Sequence, residues 1–292
     1  MIPKLMYILK CLLAAGGLFL CSPLFAYNYI DECEEKLRCN VSQTIDNLYY
    51  DIKSDLGAYL KKENLLFLSG VLISAGIMAN TGIDKSIHHF WQHSIRSKTT
   101  DRLFKVPCGL GDFHYPPVYY TSIILGGLFY DEECPESALS LLYTWGYRSI
   151  RTLYLAGAQK EFFTWVVGNG RPNAHQSSKW HPCKNKVREE TKNHSGVGVS
   201  AHAFNGAIPF ITAAMMTDRP VLKYSLYVFS VLPGLSRVND DHHYYSQVFL
   251  GWSLSFLSAL AIDYTERTRQ CPLHFYVMPS PQGASFYTCF EF

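Results

Sequence analysis

Charge is scarce in this sequence. Only 17% of its 292 residues are Asp, Glu, Lys or Arg, against roughly 25% in ordinary soluble domains. The two signs nearly cancel, 26 basic against 24 acidic residues for a formal net charge of +2, so no basic face is offered to nucleic acid. No internal repeat and no low-complexity stretch appears, and no pair of cysteines has CxxC spacing, which argues against a structural zinc site. An apolar share of 48% excludes intrinsic disorder, and the low charge excludes a highly charged coiled coil. The mean hydropathy of −0.01 is low for a chain lying wholly within a bilayer. A soluble, exported or membrane-embedded helical protein remains, with ample chain for a sizeable core.

Residues 1–26 read as an export signal. Lys4 and Lys10 supply the positive charge, Cys11 to Phe25 is apolar, and Ala26 offers a cleavage point before Tyr27. Leu24 stands where the peptidase prefers a small residue, so an uncleaved N-terminal anchor is the other reading. Of nine cysteines, seven lie beyond the signal. In an oxidising compartment Cys33 with Cys39, and Cys271 with Cys289, are candidate local staples; buried free thiols are the alternative.

Residues 27–63 form a polar, helix-compatible lead-in. Apolar runs follow at Asn64 to Ile83, Phe113 to Tyr130, Ala138 to Gly168, Val199 to Thr217, Tyr224 to Ser236 and Tyr244 to Ile262. Each is long enough for a helix of three to five turns. Most carry Ser, Asn, Gln, His or Pro inside the run, which favours core helices of a bundle over lipid-facing spans. Ser97 to Gly111 and Pro172 to Gly198 read as polar connections, and residues 266–292, with three prolines, as an irregular tail. The expected fold is all-α, a helical bundle over residues 64–265 behind the signal segment.

Three segments share a chemical logic: Gly168 to Asn173 closing one helical run, Val199 to Phe204 opening another, and Ser236 to Gln247 leading into the last. Arg171 and Arg237 each offer a planar fork of donors suited to a tetrahedral oxyanion. Ser200 is a good N-cap, and the amides of Ala201 and His202 at the first helical turn make an anion seat. One histidine can attack phosphorus while another protonates the departing oxygen. These are the parts of a metal-free phosphoryl transfer, with no cofactor called for.

The segments resemble the type 2 phosphatidic acid phosphatase and vanadium haloperoxidase superfamily. Its pattern runs Lys, six residues, Arg-Pro; then Pro-Ser-Gly-His; then Ser-Arg, five residues, His, three residues, Asp. Arg171-Pro172 matches the first part, Ser200 and His202 the second, Ser236-Arg237 and His243 the third. The resemblance implies a helical bundle acting on phosphomonoesters, lipid phosphates or pyrophosphates. It implies His243 as the nucleophile forming a phosphohistidine and His202 as the general acid, with Arg171, Arg237, Ser200 and the Ala201 amide holding phosphate. The sequence departs from the pattern at four places. Thr164 stands where the family has its Lys, and Lys160, one helical turn earlier, is the candidate substitute. Val199 replaces Pro, Ala201 replaces Gly, and Gln247 replaces the Asp that orients the nucleophile, supplying an acceptor without a charge.

His89 and His93 share one helix face, but no third metal ligand is evident near them, and His181 with Cys183 fails the same test. The reading is therefore an exported, metal-independent phosphatase, periplasmic or membrane-associated, with its site on the extracytoplasmic side and a phosphate ester or lipid phosphate as substrate. A vanadium-dependent haloperoxidase, or a degenerate phosphate- or lipid-binding envelope protein, are the alternatives.

Overall fold

The computed structural model describes residues 50–128, 137–182 and 198–269, and the backbone of 274–280 and 283–289. The signal segment, most of the polar lead-in and the Cys33–Cys39 pairing lie outside the described residues. So does the side-chain placement on which a Cys271–Cys289 pairing would rest.

Among the described residues the chain is a bundle of helices followed by a hairpin. Helix α1 covers residues 50–59, α2 Lys62–Asn80 and α3 Ile83–Phe90, the last running on into a π-helical turn, Trp91–Ile95. Then come α4 Lys98–Asp112, α5 Pro116–Leu128, α6 Ala138–Val167, α7 Ala201–Met215, α8 Pro220–Asn239 and α9 Tyr245–Arg269. A short 3-10 turn, Pro172–Ala174, follows α6.

Local chemistry accounts for the helix ends. Ser97 and Thr100 form a reciprocal capping box at the start of α4. Ser137 caps α6 and Ser200 caps α7 through backbone amides three residues on. Gly168 ends α6 in the left-handed conformation, φ 57°, that glycine adopts without a Cβ penalty.

Helices α7 and α9 form the centre. Along α7 the buried face is Ala203, Phe204, Ala207, Ile208, Ile211 and Ala214, and small residues let its neighbours come close. A Cβ on Gly251 of α9 would sit 2.7 Å from the Ser200 carbonyl oxygen, so α9 meets the start of α7 backbone to backbone. Val199, standing where the family pattern has Pro, is fully buried in a cluster with Val71, Phe163, Val167, Leu250 and Leu254. Its branched side chain fills space that a proline ring would fill differently.

Three expectations need correction. Ser97 to Gly111 is not a connection but helix α4, because the capping box starts it and Phe104 packs inward against Trp91. Pro107, Gly109 and Gly111 had disguised that helix as a loop. The described end of the lead-in joins the bundle: Ala58 and Tyr59 pack with Leu257 and Ala261, and Asp55 binds Arg151. Beyond residue 265, α9 continues to Arg269, and the stretch read as irregular holds an antiparallel hairpin, His274–Ser280 paired with Gly283–Cys289. Runs rich in aromatic and β-branched residues, Phe275-Tyr276-Val277 and Phe286-Tyr287-Thr288, outweigh the prolines there.

Among the described residues, two helices are long and apolar enough to cross a membrane, Lys62–Asn80 and Tyr245–Thr268. The second is mostly buried as a core helix, whereas α2 turns Leu66, Ile73 and Ile77 outward.

Candidate active site

The site lies where the C-terminal end of α6, the start of α7 and the α8–α9 corner meet. Backbone bonds stitch the three sequence segments together. The Asn173 amide donates to the Asp241 carbonyl at 3.0 Å, and the Ser200 amide to the Gln247 carbonyl at 3.1 Å. The Arg171 amide donates to Gln176 Oε1 at 3.1 Å, and the Tyr244 hydroxyl to the Gln176 carbonyl at 2.8 Å. Asp241 takes a positive φ of 63° at the corner, which turns the chain out of α8 and aims His243 inward. Buried Asp84 accepts from the Ser246 amide at 2.9 Å, so α3 caps the first turn of α9 from outside.

His243 is buried, and its orientation is fixed by Gln247. The Gln247 Nε2 group donates to the Gly170 carbonyl at 2.8 Å, while Oε1 accepts from the Tyr244 amide at 3.1 Å. These two partners settle which end of the amide is oxygen. His243 Nδ1, 2.9 Å from the same Oε1, must then carry its proton and donate it. Nε2 is left with its lone pair, the form a nucleophile needs. Burial pushes the His243 pKa down to about 3; the hydrogen bond it donates to Gln247 opposes this, and the charges of Arg171, Arg237 and His202 add to it. Gln247 thus occupies the place of the family's Asp and holds the tautomer without a negative charge.

Arg171, Arg237 and His202 surround that imidazole closely enough for each to act on its charge. Burial and the neighbouring Arg237 lower the pKa of Arg171, the expected sign for two guanidinium groups facing one ligand space. Both Arg171 Nε and Arg237 Nε are buried donors with no hydrogen-bond partner among the described residues. Unpaired buried donors cost free energy unless a ligand satisfies them, roughly 1–3 kcal/mol each. Ser200 Oγ accepts from the Ala203 amide at 3.4 Å, leaving the Ala201 and His202 amides in the part of the first turn that has no intrahelical partner. An anion fits all of these demands at once.

His202 stands on the second residue of α7 over α4. Its Nε2 lies 2.6 Å from Asp112 Oδ1, an ion pair when the imidazole is protonated. Burial and Arg237 lower the His202 pKa, and Asp112 works against them. Gly111 makes the approach possible: a Cβ there would fall 2.7 Å from His202 Cδ2. On the other side Arg237 Nη1 donates to Cys108 Sγ at 3.3 Å and lies 3.5 Å from Asp240 Oδ2.

A family model described as the PAP2 superfamily matches residues 147–271. Over that stretch the chain is similar to the PAP2 superfamily. Among solved structures, the chain is similar to a transmembrane PAP2-type phosphatidylglycerolphosphate phosphatase from Bacillus subtilis, at 18% identity, with 76% of this chain and 95% of that chain covered and a TM-score of 0.38. The comparison with curated proteins found no match.

Arg171, Ser200, Ala201, His202, Arg237, His243 and Gln247 all fall inside the PAP2 segment and converge. Lys160 does not join them. Its ammonium is held 2.7 Å from Glu161, and it is not among the charges that act on Arg171 or His243. The physical reason is local, since a carboxylate on the adjacent residue captures the cation before it reaches the site. Thr164, at the family's lysine position, is buried with its hydroxyl unpartnered among the described residues.

Sequence reasoning missed the contribution of α4, which precedes the PAP2 segment. Cys108, Gly111 and Asp112 reach the site from there, and only the i, i+4 spacing of Cys108 and Asp112 on one helix face hinted at a shared direction. His89 and His93 do meet on one exposed face, with ring centroids 4.2 Å apart and planes tilted by 38°, on the rim of a shallow groove lined by Lys85, Ser86 and Phe90.

Proposed function

We propose that the chain is a phosphatase that hydrolyses a phosphate ester or lipid phosphate through a phosphohistidine on His243, without a metal. The PAP2 match supports a phosphatase-type hydrolase. The single observation that carries the finer reading is the pair of orphaned guanidinium nitrogens, Arg171 Nε and Arg237 Nε, beside a buried histidine whose Nε2 bears a lone pair.

In this reading the phosphoryl group sits between the two guanidinium forks and the Ala201 and His202 amides. His243 Nε2 attacks phosphorus and forms the P–N bond as the P–O bond to the leaving group breaks. The departing oxygen takes its proton from His202 Nε2. Water then attacks the phosphohistidine, giving a proton back to His202, and inorganic phosphate leaves. The arginines and amides stabilise charge on the equatorial oxygens in both steps. Bound phosphate also supplies the negative charge that raises the His202 pKa, readying it as an acid when substrate is present.

The outward apolar residues of α2 support membrane association, and therefore a lipid-borne phosphate within reach of the site. Export through residues 1–26, with the site on the extracytoplasmic side, is part of the same proposal. The deciding experiment is hydrolysis of a chromogenic phosphomonoester and of a lipid phosphate by the full chain and by H243A and H202A. Turnover by the wild type that vanishes in both variants supports the reading. Absence of turnover on a broad phosphate panel, or turnover that survives in H243A, refutes it.

A further inference from the structure

Beside the phosphate space, α4 and α7 bring together three side chains that the hydrolytic scheme does not need as a set. Cys108 and Asp112 project from one face of α4, and His202 faces them from the first turn of α7. One ligand atom from each, a sulfur, a carboxylate oxygen and a ring nitrogen, lie within 4.8 Å of one another. The closest pair, His202 Nε2 and Asp112 Oδ1, is already at 2.6 Å, and Cys108 Sγ is 4.0 Å from Asp112 Oδ2. Beyond that contact with Asp112, the buried His202 Nε2 has no partner among the described residues, and Cys108 is a free thiol.

We propose that Cys108, Asp112 and His202 form an inhibitory site for a thiophilic divalent cation of the zinc class. A thiolate, an imidazole and a carboxylate are the donor types such ions select, and three of them with an open fourth position suit tetrahedral coordination. Asp240 Oδ2, 3.6 Å from Cys108 Sγ, or a water fills that position. Arg237 opposes a cation by its charge, and its Nη1 donates to the sulfur at 3.3 Å; a metal ligates that sulfur as the thiolate. Binding releases the thiol proton to solvent. Three anionic groups, the thiolate, Asp112 and Asp240, then outweigh the guanidinium they surround.

The consequence follows from the shared atom. His202 Nε2 cannot hold a metal and carry the leaving-group proton at the same time, so metal binding switches hydrolysis off. That consequence rests on the phosphatase reading; the metal site does not. The test uses the full chain stripped of metal with a chelator. Added Co2+ is expected to produce a sulfur-to-cobalt charge-transfer absorption that C108A lacks. Added Zn2+ is expected to inhibit hydrolysis reversibly, with C108A, compared with its own metal-free rate, resisting by about tenfold or more. A wild type without the charge-transfer band overturns the proposal whatever happens to hydrolysis, and so does equal Zn2+ inhibition in C108A. A chain that shows the band but hydrolyses nothing refutes the phosphatase reading and leaves the metal site standing.

Discussion

At the residue scale, the guanidinium groups set the strongest demand. Arg237 has its Nε buried and unpaired among the described residues, while Nη1 is shared between Cys108 and Asp240. A lysine there keeps the charge but loses the planar fork, so R237K is expected to lower kcat by about 100-fold, the scale of losing one preorganised donor to a transition-state oxygen. Steady-state kinetics on a phosphomonoester checks this, and a kcat within a few-fold of wild type would contradict it. Most of this scale was legible in the chain itself. Arginine, histidine and an N-cap serine carry their chemistry with them, and their spacing along the chain singled them out. Lys160 shows where that reading fails, because its ammonium depended on a neighbour, Glu161, that spacing does not weigh.

At the element scale, α4 is the piece that shapes the surroundings of His202, the general acid of the proposed mechanism. Gly111 is required by close approach, since its φ is ordinary but any Cβ would collide with the His202 ring and its Cβ, at 2.7 and 2.8 Å. G111A is therefore expected to fold, to displace His202 and to reduce kcat more than it changes KM. A crystal structure or kinetics showing an undisturbed His202 and wild-type turnover would defeat the prediction. A different lock ties α1, α6 and α9 together about 24 Å from the site end of α6, taking 1.5 Å per helical residue. Arg151 is fully buried and binds Asp55 through two parallel bonds, 2.8 and 2.7 Å, with Glu266 on its remaining nitrogen. R151A is expected to destabilise the fold by about 3–5 kcal/mol, because it strands a buried carboxylate. Denaturant titration in matched detergent or buffer would measure it, and a loss below 1 kcal/mol would show that the carboxylate finds water instead.

At the scale of the whole molecule, the buried histidines make stability depend on pH. The folded chain holds His243 at about 3, against 6.5 for the free side chain, and His202 shifts in the same direction. Below 6.5 the unfolded chain takes up protons that the folded chain refuses, so stability is complete above that pH and drains away as pH falls toward 3. Thermal unfolding at pH 7.5 and pH 5 should show a drop in wild type that is smaller in H243Q. Equal drops in the two proteins would place the sensitivity elsewhere. Activity should behave differently: His243 stays neutral and nucleophilic well below pH 5, so an acid decline above that pH must come from another group.

The sequence alone determined the helical class and singled out the ordered set of residues from Arg171 to Gln247 to which the proposed phosphate binding and proton transfer are assigned. Both are written in periodicity and spacing, which survive in one dimension. The tertiary structure decided that α4 is a helix at all, that Cys108 and Asp112 border His202, that Lys160 is diverted and that the chain near its end pairs as a hairpin. Each of these rests on contacts between distant stretches or on the competition of one neighbour with another. Such contacts have no signature in the linear order of residues, because they exist only once helices have packed.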